Sequence, residues 1–427
     1  MNIRKNFKRI CRIKRNLVIK NRTIRKKGDD HLLVASTENG VRINLIGSHS
    51  IPALQQYREK NNFFCPECKE KVIMKIGKKR IPHFSHSKGS ECPEKYERES
   101  EYHISGKVLL FQWLRKKGLN PTLEPYYPEI SQRPDIGVHY EGVHYALEYQ
   151  CSSISEELFI KRTEAYFQAG IVPIWILAGK SIKRIGKSKI SLSGFQYLFL
   201  RQTPSGHWVI PSFCPNTKSF INIHNIQPLT VRNACAHYDV KPVFQADPAI
   251  LFNPYYKNNI NIDEWKREVR KIKDSLSHNS GAIRNNFLQD LYSRSIAPSF
   301  LPPEIGLPVR HSPYIETSPI QWQSYLFMDI VGKERPFSLP QMIAGFCNRV
   351  KNNDIKVRSI PLVQTGSEIH AIKEYLDALI NLNIVRHAGK GLYKKTALSG
   401  EPDHYSRIIQ IENDFYRGIT QKILQGE

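Results

Sequence analysis

"QRPDIGVHYEGVHYALEYQCSSISEELFIKRTEAYFQAGIVPIWIL", residues 132–177, sets two alternating apolar runs on either side of Glu141-Gly142. Alternation around a tight turn marks a β-hairpin, because a two-residue turn needs positions that accept positive φ. Ser153 and Glu156 are spaced as a capping box, so a helix is expected from there to Gly170. "IVPIWIL", 171–177, then reads as a strand apolar on both faces, the composition of a central position in a sheet. Upstream, "PTLEPYYPEI" at 121–130 reads as extended, and the βββαβ order predicts an α/β core.

Ionisable residues gather in this core. Asp135 starts the first hairpin strand, and Glu148 and Gln150 lie two apart on the second, so those two side chains share a face. A carboxylate on each of two adjacent strands converges on a hard cation such as Mg²⁺ or Mn²⁺ and leaves positions for phosphate and water. A helix is expected at 97–117, ended by Gly118 and Pro121. On it Glu99, His103 and Lys107 recur every fourth residue, and Leu110 and Leu114 continue the sector. Polar groups on a stripe that becomes buried are poorly explained as solubility devices; the alternative is a surface salt-bridge ladder. On the capped helix, Arg162 and Tyr166 also stand four apart.

Ahead of the core, Cys65-Pro-Glu-Cys68 has the spacing that points two thiolates at one tetrahedral ion. His83, His86 and Cys92 follow, so five candidates compete for four places. In an extended "IPHFSH" the two histidines lie on opposite faces, which makes His86 and Cys92 the better completing pair. A closed, structural zinc here would hold together a segment too small for a core of its own. The bland alternative is a surface hairpin with free thiols.

Lys and Arg number 63 against 39 Asp and Glu, a formal charge of +24, which points to a polyanionic partner or, failing one, to a well-solvated cationic surface. Twelve of these positive charges fall in residues 1–28, read as a disordered basic arm. Eight scattered cysteines argue for a reducing compartment, and the longest apolar stretch, 170–179, is too short to span a bilayer. A cytoplasmic protein is expected. Short strands are expected at 31–62 and again from 180 to 240, among them "FQYLFL" and "HWVIPSF"; two amphipathic helices and a Pro-rich connector follow. Residues 311–427 read as a separate unit whose helices and basic "RHAGKGLYKKT" hairpin suit either a winged helix or a generic helical bundle.

Taken together, "QRPDI", "ALEYQC" and "KRTEAY" resemble the restriction-endonuclease-like core of the PD-(D/E)XK superfamily. With "CPECKEKVIMKIGKKRIPHFSH", "ESEYHISGK" and "GIVPIWIL", the chain from about 31 to 427 resembles the competence protein CoiA family of naturally transformable Gram-positive bacteria. The resemblance implies a zinc-finger-like segment at 31–95, a nuclease-like domain at 96–180, an extension of that core with helices at 181–310, and a mainly helical C-terminal domain. It also implies processing or recombination of incoming single-stranded DNA, alongside a recombinase or its loader. Asp135 and Glu148 match the superfamily's metal-binding acids, and Glu99 its helix-borne acid. Gln150 stands where the superfamily usually has lysine; an amide orients water or phosphate but does not neutralise charge at the attacked phosphorus. Lys107 or Lys161 would supply that cation, with His103, Arg162 and Tyr166 on the substrate phosphates. A DNA-binding adaptor without turnover, and a phage-defence or RNA-directed nuclease, are the competing readings.

Overall fold

The computed structural model describes residues 32–46, 50–66, 68–77, 81–87, 100–257, 260–278, 285–396 and 404–424. The basic arm, Cys92 and Glu99 lie outside the described residues. Among the described residues, no helix is long and apolar enough to cross a membrane.

The first unit is an antiparallel sheet of β1 (Val34–Thr37), β2 (Arg42–Asn44), β3 (Phe63–Phe64), β4 (Lys71–Lys75) and β5 (His83–His86), in the order β2-β1-β3-β4-β5. Helix α1 (Ile51–Lys60) joins β2 to β3, with Ser50 at its N-cap accepting from Ala53 N. The expectation of a segment without a core fails here. Leu32, Ala35, Leu54, Phe63, Met74 and Phe84 are buried together, because the alternation of each short strand turns one row of apolar side chains to the same side.

The large sheet begins behind α2 (Glu101–Lys116). The helix expected from residue 97 starts only at Glu101, because Ser100 is the stronger cap: its Oγ accepts from His103 N at 3.2 Å. Next come β6 (Thr122–Leu123), β7 (Ile136–Tyr140), β8 (Val143–Gln150), α3 (Glu156–Gln168) and β9 (Val172–Ala178). The hairpin turns where expected, with Glu141 at φ 49° and Gly142 at φ 78°, the two positive angles such a turn needs. In the "PTLEPYYPEI" segment only Thr122 and Leu123 pair with β7. Pro125 and Pro128 offer no N–H to a ladder, and Glu124 turns the chain with φ 46°.

The capping box at Ser153 is corrected to a cap at Ser155, whose Oγ accepts from Leu158 N at 3.2 Å. Ile154 packs on the cluster that holds Phe159, so the chain stays extended past Ser153. α3 then crosses over to β9, which lies parallel to β8 from Tyr145↔Val172 to Gln150↔Leu177. Two helices cover the sheet on opposite faces. α2 packs with Leu147, Tyr149, Ile174 and Ile176, while α3 meets Ala146, Trp175 and Leu177.

The sheet does not end at residue 180. It continues through short strands to Ser212–Cys214, parallel to β9, and the long pair Ser219–Pro228 and Asn233–Pro242. "FQYLFL" is not a strand: residues Gly194–Tyr197 form one helical turn under a reciprocal Ser193–Gln196 cap. Farther on, helices Ile262–Ser277 and Asn286–Ser293 bury Trp265 and Leu288 in the same core as Trp322, Phe346 and Tyr375 of the last unit. The Pro-rich connector is a buried strap across that core. Gln323 ties it down, accepting from Gly306 N and Leu307 N and donating to Leu307 O.

Candidate active site

The paired register of β7 and β8 ends at Ile136↔Leu147, so Asp135 stands one position beyond it, beside the strand that carries Glu148. Like charges in that arrangement repel, and each acid has its own cation. From α2, Lys107 Nζ lies 3.1 Å from Asp135 Oδ1 and 2.8 Å from Glu124 Oε1. His103 Nε2 is 3.2 Å from Asp135 Oδ2, which also accepts from Tyr149 N at 2.8 Å. From α3, Arg162 and Tyr166 both donate to Glu148 Oε1, the tyrosine at 2.6 Å, and Arg162 Nε donates to Gln132 Oε1 at 3.0 Å.

The two acids titrate apart. Burial pushes Asp135 upward, but Lys107 and then His103 outweigh it and hold the carboxyl well below its ordinary value. Burial dominates at Glu148, 4% exposed, and with the Asp135 charge it carries the carboxyl up to about 7 against the pull of Arg162. A fixed anion therefore sits beside a group that exchanges protons near neutrality. Glu124 is buried as well, yet Lys107 and Arg133 keep it below its ordinary value.

The expected residues separate into several sets. Asp135, Lys107 and His103 form one cluster and Glu148, Arg162 and Tyr166 another, and the charge of Asp135 acts on Glu148. Gln150 faces the same side as Glu148, donates to Ser152 O at 3.0 Å and lines an adjoining cleft of about 390 Å³. Lys161 is exposed on α3 and enters no ion pair among the described residues. Glu124 was missed by sequence reasoning, which placed it in an extended stretch. No local spacing signals it, since its carboxylate reaches Lys107 only because the chain bends there. The same carboxylate accepts from Leu33 N at 3.3 Å, and Arg42 donates to the Glu124 carbonyl, so Glu124 also ties the first unit to the large sheet.

A second constellation stands on the first unit. Cys65, in a turn where its N–H bonds Glu70 O and its carbonyl accepts from Lys69 N, lies with Cys68 and His86 so that all three ligand atoms are within 4.8 Å of one another. Cys68 Sγ and His86 Nε2 are 3.3 Å apart. His83 is directed elsewhere, its Nδ1 2.9 Å from Ile81 O. Two sulfurs and an imidazole nitrogen suit a tetrahedral metal ion, and the expected fourth ligand, Cys92, lies outside the described residues.

Sequence profiles of three domains of competence protein CoiA match this chain: the N-terminal domain over residues 46–95, the nuclease-like domain over 99–256 and the C-terminal domain over 260–409. Competence protein CoiA of Bacillus subtilis (strain 168) is 30% identical over 351 residues, covering 81% of this chain and 93% of that protein. The chain belongs to the competence protein CoiA family. No solved structure matches it. The CoiA nuclease-like segment contains Lys107, Glu124, Asp135, Glu148 and Arg162, and the CoiA N-terminal segment contains the Cys65, Cys68 and His86 group. The large sheet, from β6 to the strand ending at Pro242, falls within the nuclease-like segment of the CoiA family.

Proposed function

We propose that this CoiA-family protein processes incoming DNA during transformation as a metal-dependent nuclease of the restriction-endonuclease-like kind, acting on single strands. The observation that carries this reading is Lys107 Nζ at 3.1 Å from Asp135, whose charge also acts on Glu148 of the next strand. Lys107 thus brings from α2 the cation that Gln150 does not supply. The acids fit a divalent ion such as Mg²⁺ or Mn²⁺: both offer hard oxygens, and Glu148 Oε2 accepts no hydrogen bond among the described residues. Once bound there, such an ion supplies a Lewis acid for phosphate and an acidified water. Lys107 offsets charge growing at phosphorus, Glu148 takes or returns a proton, and His103 and Arg162 position phosphate oxygens.

Cys65, Cys68 and His86, completed by Cys92, are read as a structural zinc site. The C-terminal order of helix, strand, helix, helix and hairpin, with Leu392–Lys395 pairing both Phe337–Ser338 and Val385–Gly389, supports a winged helix whose basic hairpin faces DNA. The net charge of +24 supports a nucleic-acid partner, and a recombinase or its loader is the expected protein partner.

A second reading, a DNA-binding adaptor without turnover, is favoured by the clamp of Arg162 and Tyr166 on Glu148. One assay separates the two. Full-length protein with Mg²⁺ or Mn²⁺ is expected to shorten labelled single-stranded DNA, with Asp135→Ala and Glu148→Ala abolishing cleavage and leaving affinity within a few-fold. Salt-sensitive binding with no cleavage in either metal establishes the adaptor. Faster cleavage of a matching RNA redirects the reading to an RNA-directed enzyme.

A further inference from the structure

The cleft beside Gln150 has no assigned role. It opens where the parallel strands β8 and β9 reach their carboxyl ends, the position where open α/β sheets hold ligands. At about 390 Å³ it is large enough for a nucleotide. Its lining includes Ser152, Ser193, Lys183, Arg232, Gln150 and Phe195, and no aspartate or glutamate contributes. Lys183 and Arg232 are exposed and form no ion pair among the described residues, although Arg, Lys and acid pairs are plentiful elsewhere in the fold. These two charges are unspent. Phe195 stands at the rim, half-buried, its ring held edge-on by Phe199 at 5.3 Å and by Phe159 at 6.4 Å.

We infer that this cleft is a subsite for the terminal phosphate of a nucleic-acid strand, with the end nucleotide's base stacked on Phe195. The inference rests on reading Asp135 and Glu148 as the strand-processing site. A terminal phosphate carries close to two negative charges near pH 7, where an internal diester carries one, so two unpaired cations among hydroxyl donors match the end and not the run of the backbone. Gln150 and Glu148 face the same side two residues apart on β8, about 7 Å by strand rise. A strand end seated in the cleft therefore delivers a neighbouring phosphodiester toward the acid pair. Base stacking on Phe195 makes the subsite tolerant of sequence.

The test measures binding of a 3′-fluorescein-labelled oligothymidylate by full-length protein without chelator or added divalent metal, with a 5′-phosphate or a 5′-hydroxyl, and of the reverse-labelled strand with a 3′-phosphate or a 3′-hydroxyl. One phosphorylated end is expected to bind about tenfold more tightly than its hydroxyl counterpart. Lys183→Ala with Arg232→Ala is expected to remove that preference and leave hydroxyl-ended strands within twofold; thymidine monophosphate corresponding to the preferred end is expected to compete where thymidine does not. Equal affinity for all four ends, or a double variant that weakens every strand alike, overturns the subsite while leaving the nuclease reading intact. Absence of any binding overturns both. End preference without metal-dependent cleavage supports the subsite and sinks the nuclease.

Discussion

Gly106 and Tyr149 occupy space that a single methyl group would close: a Cβ on Gly106 would stand 2.0 Å from Tyr149 Cε1. The helix therefore lies closer to β8 than any other residue at 106 permits, and the next residue along is Lys107, whose amine reaches Asp135. Close packing at this one position sets the depth at which the cation enters the site. Gly106→Ala is expected to destabilise the fold by about 1–3 kcal/mol despite alanine's better helix propensity. It is also expected to lower any DNA-processing rate. Gly418→Ala, in the helix Tyr405–Leu424, meets nothing within 4 Å and should be neutral or mildly stabilising when both variants are compared by denaturant titration.

Lys107 neutralises two acids at once, so removing it leaves both Glu124 and Asp135 without their principal cation. Lys107→Met is expected to cost about 3–5 kcal/mol of stability. Adding Glu124→Gln should recover part of the loss, and a double-mutant cycle should report coupling above about 1 kcal/mol. Additive effects within error would show that the pair does not interact energetically.

Glu148 makes stability depend on pH. Its carboxyl is carried from an ordinary 4.5 to about 7 in the folded chain, so folding favours the protonated form. The stability this contributes is complete below pH 4.5 and is lost as pH rises through 7. Glu148→Gln mimics the protonated carboxyl at every pH. Without divalent metal, the stability of the unsubstituted protein relative to this variant should fall by on the order of 3 kcal/mol from pH 4.5 to 8. Melting curves of both proteins across that range check it, and a difference that stays flat or rises would contradict the assignment.

Metal content distinguishes the two histidines. One metal ion per chain is expected by elemental analysis, lost on Cys65→Ser, Cys68→Ser or His86→Ala and kept on His83→Ala, because His83 is turned toward Ile81 O. Loss from the His83 variant with retention in the His86 variant would reverse the ligand assignment. Chelation should loosen the first unit without unfolding it, since that unit has its own apolar core.

The hairpin at Glu141-Gly142, the strand 171–177, the shared face of Glu148 and Gln150 and the Cys65–Cys68 knuckle were all legible in the residues themselves. Each depends on an interaction a few residues long: a turn's φ angles, a side-chain period, a capping bond. Where two local solutions were nearly equal, as with Ser153 and Ser155, packing of Ile154 beside Phe159 decided between them. His83 and His86 were already set apart by strand alternation, and the fold places His86 beside Cys68 and His83 beside Ile81 O.

Sequence by itself determined which residues carry charge and which strand faces they share. Only packing decided that Lys107 meets Glu124 and Asp135, that Arg162 and Tyr166 close on Glu148, and that a cleft holding Lys183 and Arg232 opens beside Gln150. These meetings join segments held together by burial of apolar surface, which is non-directional and indifferent to the polar groups it carries along. Periodicity shows the direction a side chain faces; only the packed chain shows what stands opposite.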